Sequence, residues 1–170
     1  MTKVTGFFLL QLSALMFLRR RLAAEKRKAE SAASFRDMLE QLLGLLEREA
    51  SPMPELLQLL QKRVHGVSAL FTATLQNSMD MLGEHSFREL WRRALYSHSE
   101  DMEQELLRIL EKPGAVLGCF ELARQLDAVS LCLHELRRYC EKQRREQPQK
   151  ARLAIGLTLS VSLMAGILLL

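Results

Sequence analysis

The residues most able to carry chemistry in this sequence are its cysteines and histidines. Thiols and imidazoles together can bind zinc, or can form a nucleophile and its base. Cys132 and His134 stand two positions apart, which is a weak indication of a metal site. A buried thiol beside an exposed imidazole is the simpler interpretation, so no metal or cofactor is predicted. The full set is Cys119, Cys132, Cys140, His65, His85, His98 and His134.

Motifs that would identify an enzyme are absent from the sequence. Neither G-x-x-x-x-G-K-[ST] nor G-x-G-x-x-G occurs, and no histidine lies in an H-E-x-x-H pattern. Cys119 and Cys140 fall on apolar helix positions, where cysteine behaves as a small hydrophobic residue. We therefore predict a protein that is not an enzyme and has no small-molecule substrate. A small membrane enzyme that uses Cys or His is the rival interpretation.

Two features are candidates for binding a partner protein. The segment 100–105 is acidic, which suits either a dock for a basic partner or the first turn of a helix. A tryptophan lies on an apolar helix face with Phe87, Leu90 and Leu95, and it suits either core packing or an interface anchor. The candidate partner-binding residues are Glu100, Asp101, Glu103, Glu105 and Trp91.

Both ends of the chain are uncharged and apolar. Residues 153–170 would form a helix about 27 Å long, close to the ~30 Å hydrocarbon thickness of a bilayer. We predict an N-terminal membrane anchor at 1–18 and a C-terminal transmembrane helix at 153–170. A cleaved signal peptide is the alternative at the N-terminus. Only Lys3 precedes that apolar core, however, and no small-residue cleavage site follows it.

Basic residues flank both apolar ends on the side that faces the middle of the chain. The positive-inside rule therefore places residues 19–152 in the cytoplasm. Residues 29–136 hold 10 basic and 17 acidic residues, which disfavours nucleic acid as a partner. The basic residues predicted to lie at the membrane surface are Arg19, Arg20, Arg21, Arg144, Arg145, Lys150 and Arg152.

The elements that must position these groups are helices. Aromatic residues make up 6% of the chain and Leu, Glu, Arg and Ala are abundant, which favours helix over sheet. We predict an all-α fold, a helical bundle of about six helices in 19–152 flanked by N- and C-terminal transmembrane segments. The expected helices are 31–49, 54–65, 67–82, 86–96, 100–111 and 115–147.

Local signals set the expected helix boundaries. Ser86 and Glu89 form a capping-box pattern. Ser99 is expected to cap the fifth helix, and Pro148 to interrupt the last one. The last helix carries an apolar seam spaced by three and four residues, which is typical of a bundle. Its members are Cys119, Leu122, Leu126, Val129, Leu133, Leu136 and Cys140.

The order of these features resembles the stage III sporulation protein AB family of endospore-forming bacteria. The resemblance covers the full length: Gly6 in the apolar start, the basic exit Arg19–Arg21, the segment Arg88–Leu95 of the form x-E-x-W-x-x-A/S-L, and a charged helix running into the terminal apolar segment. One turn departs from the family pattern F-G-x-x-L-G-x-x-D. Gly118 and Asp127 fit it only with shifted spacing, and the second glycine is missing.

The resemblance implies a component of the sporulation channel complex in the outer forespore membrane, with its soluble domain facing the mother-cell cytoplasm. The family's soluble domain is similar to the platform domains of type II secretion and type IV pilus systems, which dock a secretion-type ATPase. The partners implied are an ATPase resembling stage III sporulation protein AA and other membrane proteins of the channel.

A tail-anchored helical regulator that binds partner helices is the alternative function. Such a protein needs a groove motif like N-W-G-R. The single tryptophan, Trp91, has no preceding asparagine and no following glycine. That alternative also leaves the apolar N-terminal segment unexplained.

Overall fold

The computed structural model describes residues 2–48, 51–100, 102–118 and 121–169. Within them the chain is all-helical and forms no β-strand, which confirms the predicted fold class. Six α-helices follow one another, and a short 3-10 helix, Met79–Met81, comes after the third. The α-helices are α1 (Thr2–Arg48), α2 (Met53–Gln61), α3 (Val67–Asn77), α4 (Phe87–Tyr96), α5 (Gln104–Gly114) and α6 (Leu122–Leu169).

The chain divides into two compact units. One consists of the residues up to Arg27 together with those from Lys142 onward, and the other is Lys28–Glu141. The first unit thus joins the start of α1 to the end of α6. A search of the described residues finds no helix with a stretch long and apolar enough to span a membrane. The anchors predicted at 1–18 and 153–170 therefore remain predictions.

The core of the second unit begins with one face of α1. Its predicted apolar stripe is buried throughout, and Phe35, Leu39 and Leu42 have no exposed surface at all. Residues spaced alternately by three and four positions lie on one side of a helix, so the other helices of the bundle can cover the whole stripe. The predicted stripe, confirmed by burial, is Ala32, Phe35, Leu39, Leu42 and Leu46.

An aromatic cluster links α1, α3 and α4 inside this core. The ring centroids of Phe35 and Phe71 lie 5.5 Å apart, and those of Phe71 and Trp91 lie 4.8 Å apart, both pairs edge to face. Phe87 lies 6.0 Å from Trp91 on the same helix. Edge-to-face pairs place the positive ring edge on the negative ring face, which adds to the gain from burial.

A hydroxyl on α1 holds the turn between α2 and α3. The hydroxyl of Ser34 lies 2.6 Å from the His65 carbonyl oxygen and accepts the N–H of Ser68 at 3.1 Å. Gly66, in this turn, has a φ of +69°, a conformation that side chains disfavour. The helix predicted at 54–65 ends earlier, at Gln61, and Gly66 directly precedes the first residue of α3.

The capping box predicted at the start of α4 is present. Ser86 N–H donates to the Glu89 carboxylate at 3.2 Å, and Glu89 N–H donates to the Ser86 hydroxyl at 3.4 Å. The Glu89 carboxylate thereby pairs the Ser86 N–H at the start of the helix, and the Glu89 N–H is shared between the Ser86 hydroxyl and the Ser86 carbonyl oxygen, the latter at 2.9 Å. The backbone hydrogen bond from Ser86 lowers the pKa of Glu89, with a smaller contribution from nearby His85.

The boundary signals predicted at Ser99 and Pro148 are wrong as well. The fifth helix begins at Gln104 with Glu103 at the N-cap, and the Ser99 hydroxyl donates instead to the Tyr96 carbonyl oxygen at 2.8 Å. Pro148 does not interrupt the last helix, because α6 continues through it to Leu169. A proline removes one helical hydrogen bond and favours a kink, but it does not by itself end a helix.

Candidate docking surfaces

Only part of the acidic segment predicted to bind a partner is exposed among the described residues. Asp101 lies outside the described residues, and Glu100 is exposed. Glu105 is exposed in the first turn of α5, where the helix dipole favours an acid. Of the four predicted acids, therefore, the described residues display Glu100 and Glu105.

Glu103 has a structural role within the bundle. Its carboxylate accepts a hydrogen bond from the Tyr139 hydroxyl at 3.0 Å and pairs with the Lys28 ammonium at 3.6 Å. It stands at the N-cap of α5, so these two contacts connect the start of α5 to α6 and α1. These contacts give Glu103 an internal role, and its assignment as a docking residue stays a prediction.

Trp91 packs in the core and is not an exposed anchor. It is 2% exposed, and its indole N–H donates to the Leu110 carbonyl oxygen at 2.8 Å. The neighbouring residues on its helix face, Phe87, Leu90 and Leu95, are buried as well. The core-packing interpretation of this face is therefore the correct one.

The basic residues predicted at the membrane surface lie in the first unit. Arg19, Arg20 and Arg21 are exposed on α1, and Arg144 and Arg145 are exposed on α6. Lys150 and Arg152 belong to the same unit, and their side chains lie outside the described part of the chain. Both ends of the predicted basic set thus belong to one unit, although more than 100 residues separate them in sequence.

The cysteines that the structure describes are poor nucleophiles. Burial raises the pKa of Cys132 to about 12, and its thiol donates to the Ile109 carbonyl oxygen at 3.3 Å. Burial also raises the pKa of Cys140, against the opposing charge of Arg36. Cys119 lies outside the described residues. Because thiolates and not thiols attack electrophiles, Cys132 is inert at neutral pH.

The histidines have separate surroundings in the part of the chain that the structure describes. His134 is exposed whereas Cys132 is fully buried, as expected of a structural thiol beside a surface imidazole. His98 lies 2.9 Å from the Thr74 hydroxyl, and His85 lies beside Glu89 and Arg93. Among the described residues, no cluster of His, Cys, Asp and Glu could hold a metal ion.

A basic surface that the sequence analysis missed runs along α4 and α5. We define the α4–α5 ridge as Arg88, Arg92, Tyr96, Arg108 and Glu111, which are exposed except for the partly buried Glu111. The hydrogen bond from Trp91 to Leu110 holds the two helices together beneath the ridge. Three of the five ridge residues are arginines and one is an acid, whereas acids outnumber bases across residues 29–136.

The ridge residues lie close enough to influence one another. The Glu111 carboxylate faces the Tyr96 hydroxyl and raises its pKa, while the charges of Arg92 and Arg108 act in the opposite direction. Arg88 stands one helical turn before Arg92. A spacing of four residues from Arg88 through Arg92 to Tyr96 was the sequence signal for this surface. The net charge summed over residues 29–136 is negative, so the sum hid this local basic surface.

Comparison with known proteins identifies the family. The family model described as stage III sporulation protein AB matches residues 3–170. A solved structure titled "Stage III sporulation protein AB (SpoIIIAB)" is similar, with a TM-score of 0.64 and 16% sequence identity, over 72% of this chain and 98% of that one. At this identity the likeness shows a shared fold. No curated protein matches the sequence.

Proposed function

Since the chain belongs to the stage III sporulation protein AB family, we propose that it is a non-enzymatic platform subunit of the sporulation channel between mother cell and forespore. A sporulation protein of this kind would hold other components of a secretion-like complex at the membrane. Its central interaction would be with a secretion-type ATPase resembling stage III sporulation protein AA. It would also contact other membrane proteins of the channel, and neither nucleic acid nor a small-molecule substrate.

The observation that carries the proposal is the placement of the basic residues. Arg19, Arg20, Arg21, Arg144 and Arg145 are exposed and belong to the unit built from the two ends of the chain. Basic residues near an anionic membrane surface contribute about 1 kcal/mol each to binding. The anchors proposed at 1–18 and 153–170 would extend from this unit into the outer forespore membrane, and Lys28–Glu141 would face the mother-cell cytoplasm.

The absence of enzymatic chemistry in this chain is part of the proposal. The sequence has no nucleotide-binding glycine motif, so the energy of ATP hydrolysis would come from the partner. Cys132 is buried with a pKa of about 12, which suits a packing role. A bundle of this size can still present several helix faces to partners, as platform subunits must.

Copurification tests the docking step directly. The full-length chain, extracted in detergent, would be immobilised and incubated with the purified ATPase-like subunit from the same organism. We expect a saturable interaction that does not require ATP. Failure of the folded full-length chain to retain the ATPase-like subunit at micromolar concentration would contradict the proposed function.

Reporter fusions test the membrane arrangement. Reporters that distinguish the cytoplasm from the opposite side of the membrane would be placed at each end and in the segment 51–54, which leads into the first residues of α2. We expect a cytoplasmic signal from 51–54 and a signal from the opposite side at both ends. A non-cytoplasmic signal from 51–54 would overturn the arrangement.

A further inference from the structure

We infer that the α4–α5 ridge is the surface on which this protein receives an acidic segment of its ATPase partner, an inference that rests on the proposed function. The ridge presents the exposed residues Arg88, Arg92 and Tyr96 on α4 and Arg108 on α5, and the charges of Arg92 and Arg108 act on Tyr96. It therefore pairs three guanidinium groups with an exposed aromatic residue. The acidic cluster 100–105 that the sequence suggested is, by contrast, partly engaged in holding the bundle together.

The charge of the ridge is opposite in sign to that of its surroundings. Residues 29–136 hold 17 acids and 10 bases, so an average face of this unit is negative. The ridge reverses that sign with three arginines and a single carboxylate, Glu111. A partner with an acidic contact segment would therefore be attracted to the ridge and repelled by the other faces of this unit, which fixes the orientation in which it binds.

The ridge arginines are not used for internal ion pairing in the part of the chain that the structure describes. Lys28, Lys112 and Arg137 each form an ion pair with a carboxylate on another element. Among the ion pairs found in the described residues, none engages Arg88, Arg92 or Arg108. Their guanidinium groups keep their donors for an external carboxylate, which can be bound through two parallel hydrogen bonds.

Tyr96 gives the ridge an exposed aromatic residue. Its side chain is 52% exposed, although each neighbouring aromatic of the core cluster is buried. Tyrosine and arginine are enriched among the residues that dominate protein interfaces, since both combine apolar area with hydrogen-bonding groups. The exposed ring gives the ridge a contact that loses little conformational entropy on binding.

The spacing of the ridge indicates the form of the acidic segment. Arg88, Arg92 and Tyr96 repeat at four residues along α4, one helical turn apart. A partner helix with carboxylates at the same spacing would match two arginines at once, and Arg108 of α5 would meet a third acid. Nucleic acid fits less well, because its phosphates would also approach the acidic remainder of the unit.

The test is a binding titration of the full-length chain with the purified ATPase-like subunit. We expect the triple variant R88E/R92E/R108E to bind at least about tenfold more weakly than the wild type. The matched control R48E/K62E/R63E makes the same change in net charge at exposed positions away from the ridge, and it should bind as the wild type does. Wild-type binding should weaken with added salt, since the contacts are charged.

The outcomes separate the two proposals. If the wild type binds and R88E/R92E/R108E binds equally well, the ridge inference is overturned and the proposed function stands. If the wild type does not bind, the proposed function is overturned. Equal loss in both triple variants also overturns the ridge, because only net charge would then matter. The ridge inference is also overturned if the chain binds a single-stranded oligonucleotide more tightly than the ATPase. It is overturned as well if the ridge residues are needed for a dimer of this chain while ATPase binding is unaltered.

A second set of variants covers the case in which charge reversal disturbs folding. Circular dichroism would first establish that each variant retains wild-type helicity and thermal unfolding. If the glutamate variants fail this check, R88Q/R92Q/R108Q and Tyr96→Ala replace them. We expect each to weaken ATPase binding, and wild-type affinity in both would overturn the inference.

Discussion

Gly114 lies so close to Trp91 that the glycine has no room for a side chain. A Cβ at position 114 would stand 2.4 Å from both Cγ and Cδ1 of the indole ring. The same tryptophan donates its N–H to the Leu110 carbonyl oxygen one turn earlier in α5. α4 and α5 can therefore approach closely, because Trp91 of α4 packs directly against the backbone of α5 at Gly114.

The variant Gly114→Ala should be destabilised by about 1–3 kcal/mol, the usual cost of overpacking a core. The matched control is Gly44→Ala in α1, where an added Cβ would meet nothing within 4 Å. That change should raise stability by about 0.5–1 kcal/mol, because alanine favours helix over glycine. Thermal unfolding by circular dichroism measures both, and equal shifts of the same sign would contradict the argument.

Much of the fold could be predicted because its determinants are local. The buried stripe of α1 follows from residue spacing, and the start of α4 follows from Ser86 and Glu89 within one turn. The start of α5 could not be predicted in the same way. Glu103 occupies the N-cap position of that helix without a side-chain capping hydrogen bond. Its carboxylate is held instead by Tyr139 and Lys28, which are distant in sequence.

The candidate surfaces were harder to predict than the helices. Trp91 was a candidate as a large aromatic residue and Glu103 as part of an acidic segment, but tertiary contacts place both within the bundle's own packing. The α4–α5 ridge needs two helices side by side before its arginines form one surface. Sequence alone shows only the half of the ridge on α4, Arg88 and Arg92.

The capping box gives stability that depends on pH. The pKa of Glu89 is lowered in the folded chain, chiefly by the backbone hydrogen bond from Ser86, so the folded state favours the carboxylate. Its contribution is therefore present above the unfolded pKa of about 4.5 and is lost as pH falls through the lower folded value. The denaturant midpoint of the wild type should fall with acidification more than that of Glu89→Gln.

This difference would be measured by urea unfolding in buffers between about pH 6 and about pH 3. Glu84→Gln serves as the control, since Glu84 lies in an exposed turn just before the capping box. Its midpoint should follow the wild-type curve across the same range. Parallel curves for the wild type and Glu89→Gln would show that the capping box makes no pH-dependent contribution.

Cys132 should resist thiol reagents while the chain is folded. Its thiol is fully buried and its pKa is raised to about 12, so at pH 8 roughly one molecule in 10,000 would carry a thiolate. In the double variant Cys119→Ser/Cys140→Ser, maleimide labelling followed by mass spectrometry should be slow in buffer and fast in denaturant. Rapid labelling under native conditions would contradict the burial of this thiol.

The exposed arginines of the first unit should bind anionic membranes. Replacing Arg19, Arg20 and Arg21 by glutamine removes three charges, each of which contributes about 1 kcal/mol near a charged bilayer. Under the proposed function, the triple variant should therefore bind phosphatidylserine-containing vesicles less tightly than the wild type. The matched control neutralises Arg88, Arg92 and Arg108 of the α4–α5 ridge, which would face the cytoplasmic partner.

Flotation of the full-length chain with vesicles of increasing anionic content would measure the effect. Vesicles of neutral phosphatidylcholine separate charge from apolar insertion, because the anchors proposed at 1–18 and 153–170 would bind both lipids. The wild type should favour anionic vesicles, the Arg19–Arg21 variant should favour them less, and the ridge variant should match the wild type. If both variants lose the preference equally, the two basic surfaces do not have the separate roles proposed for them.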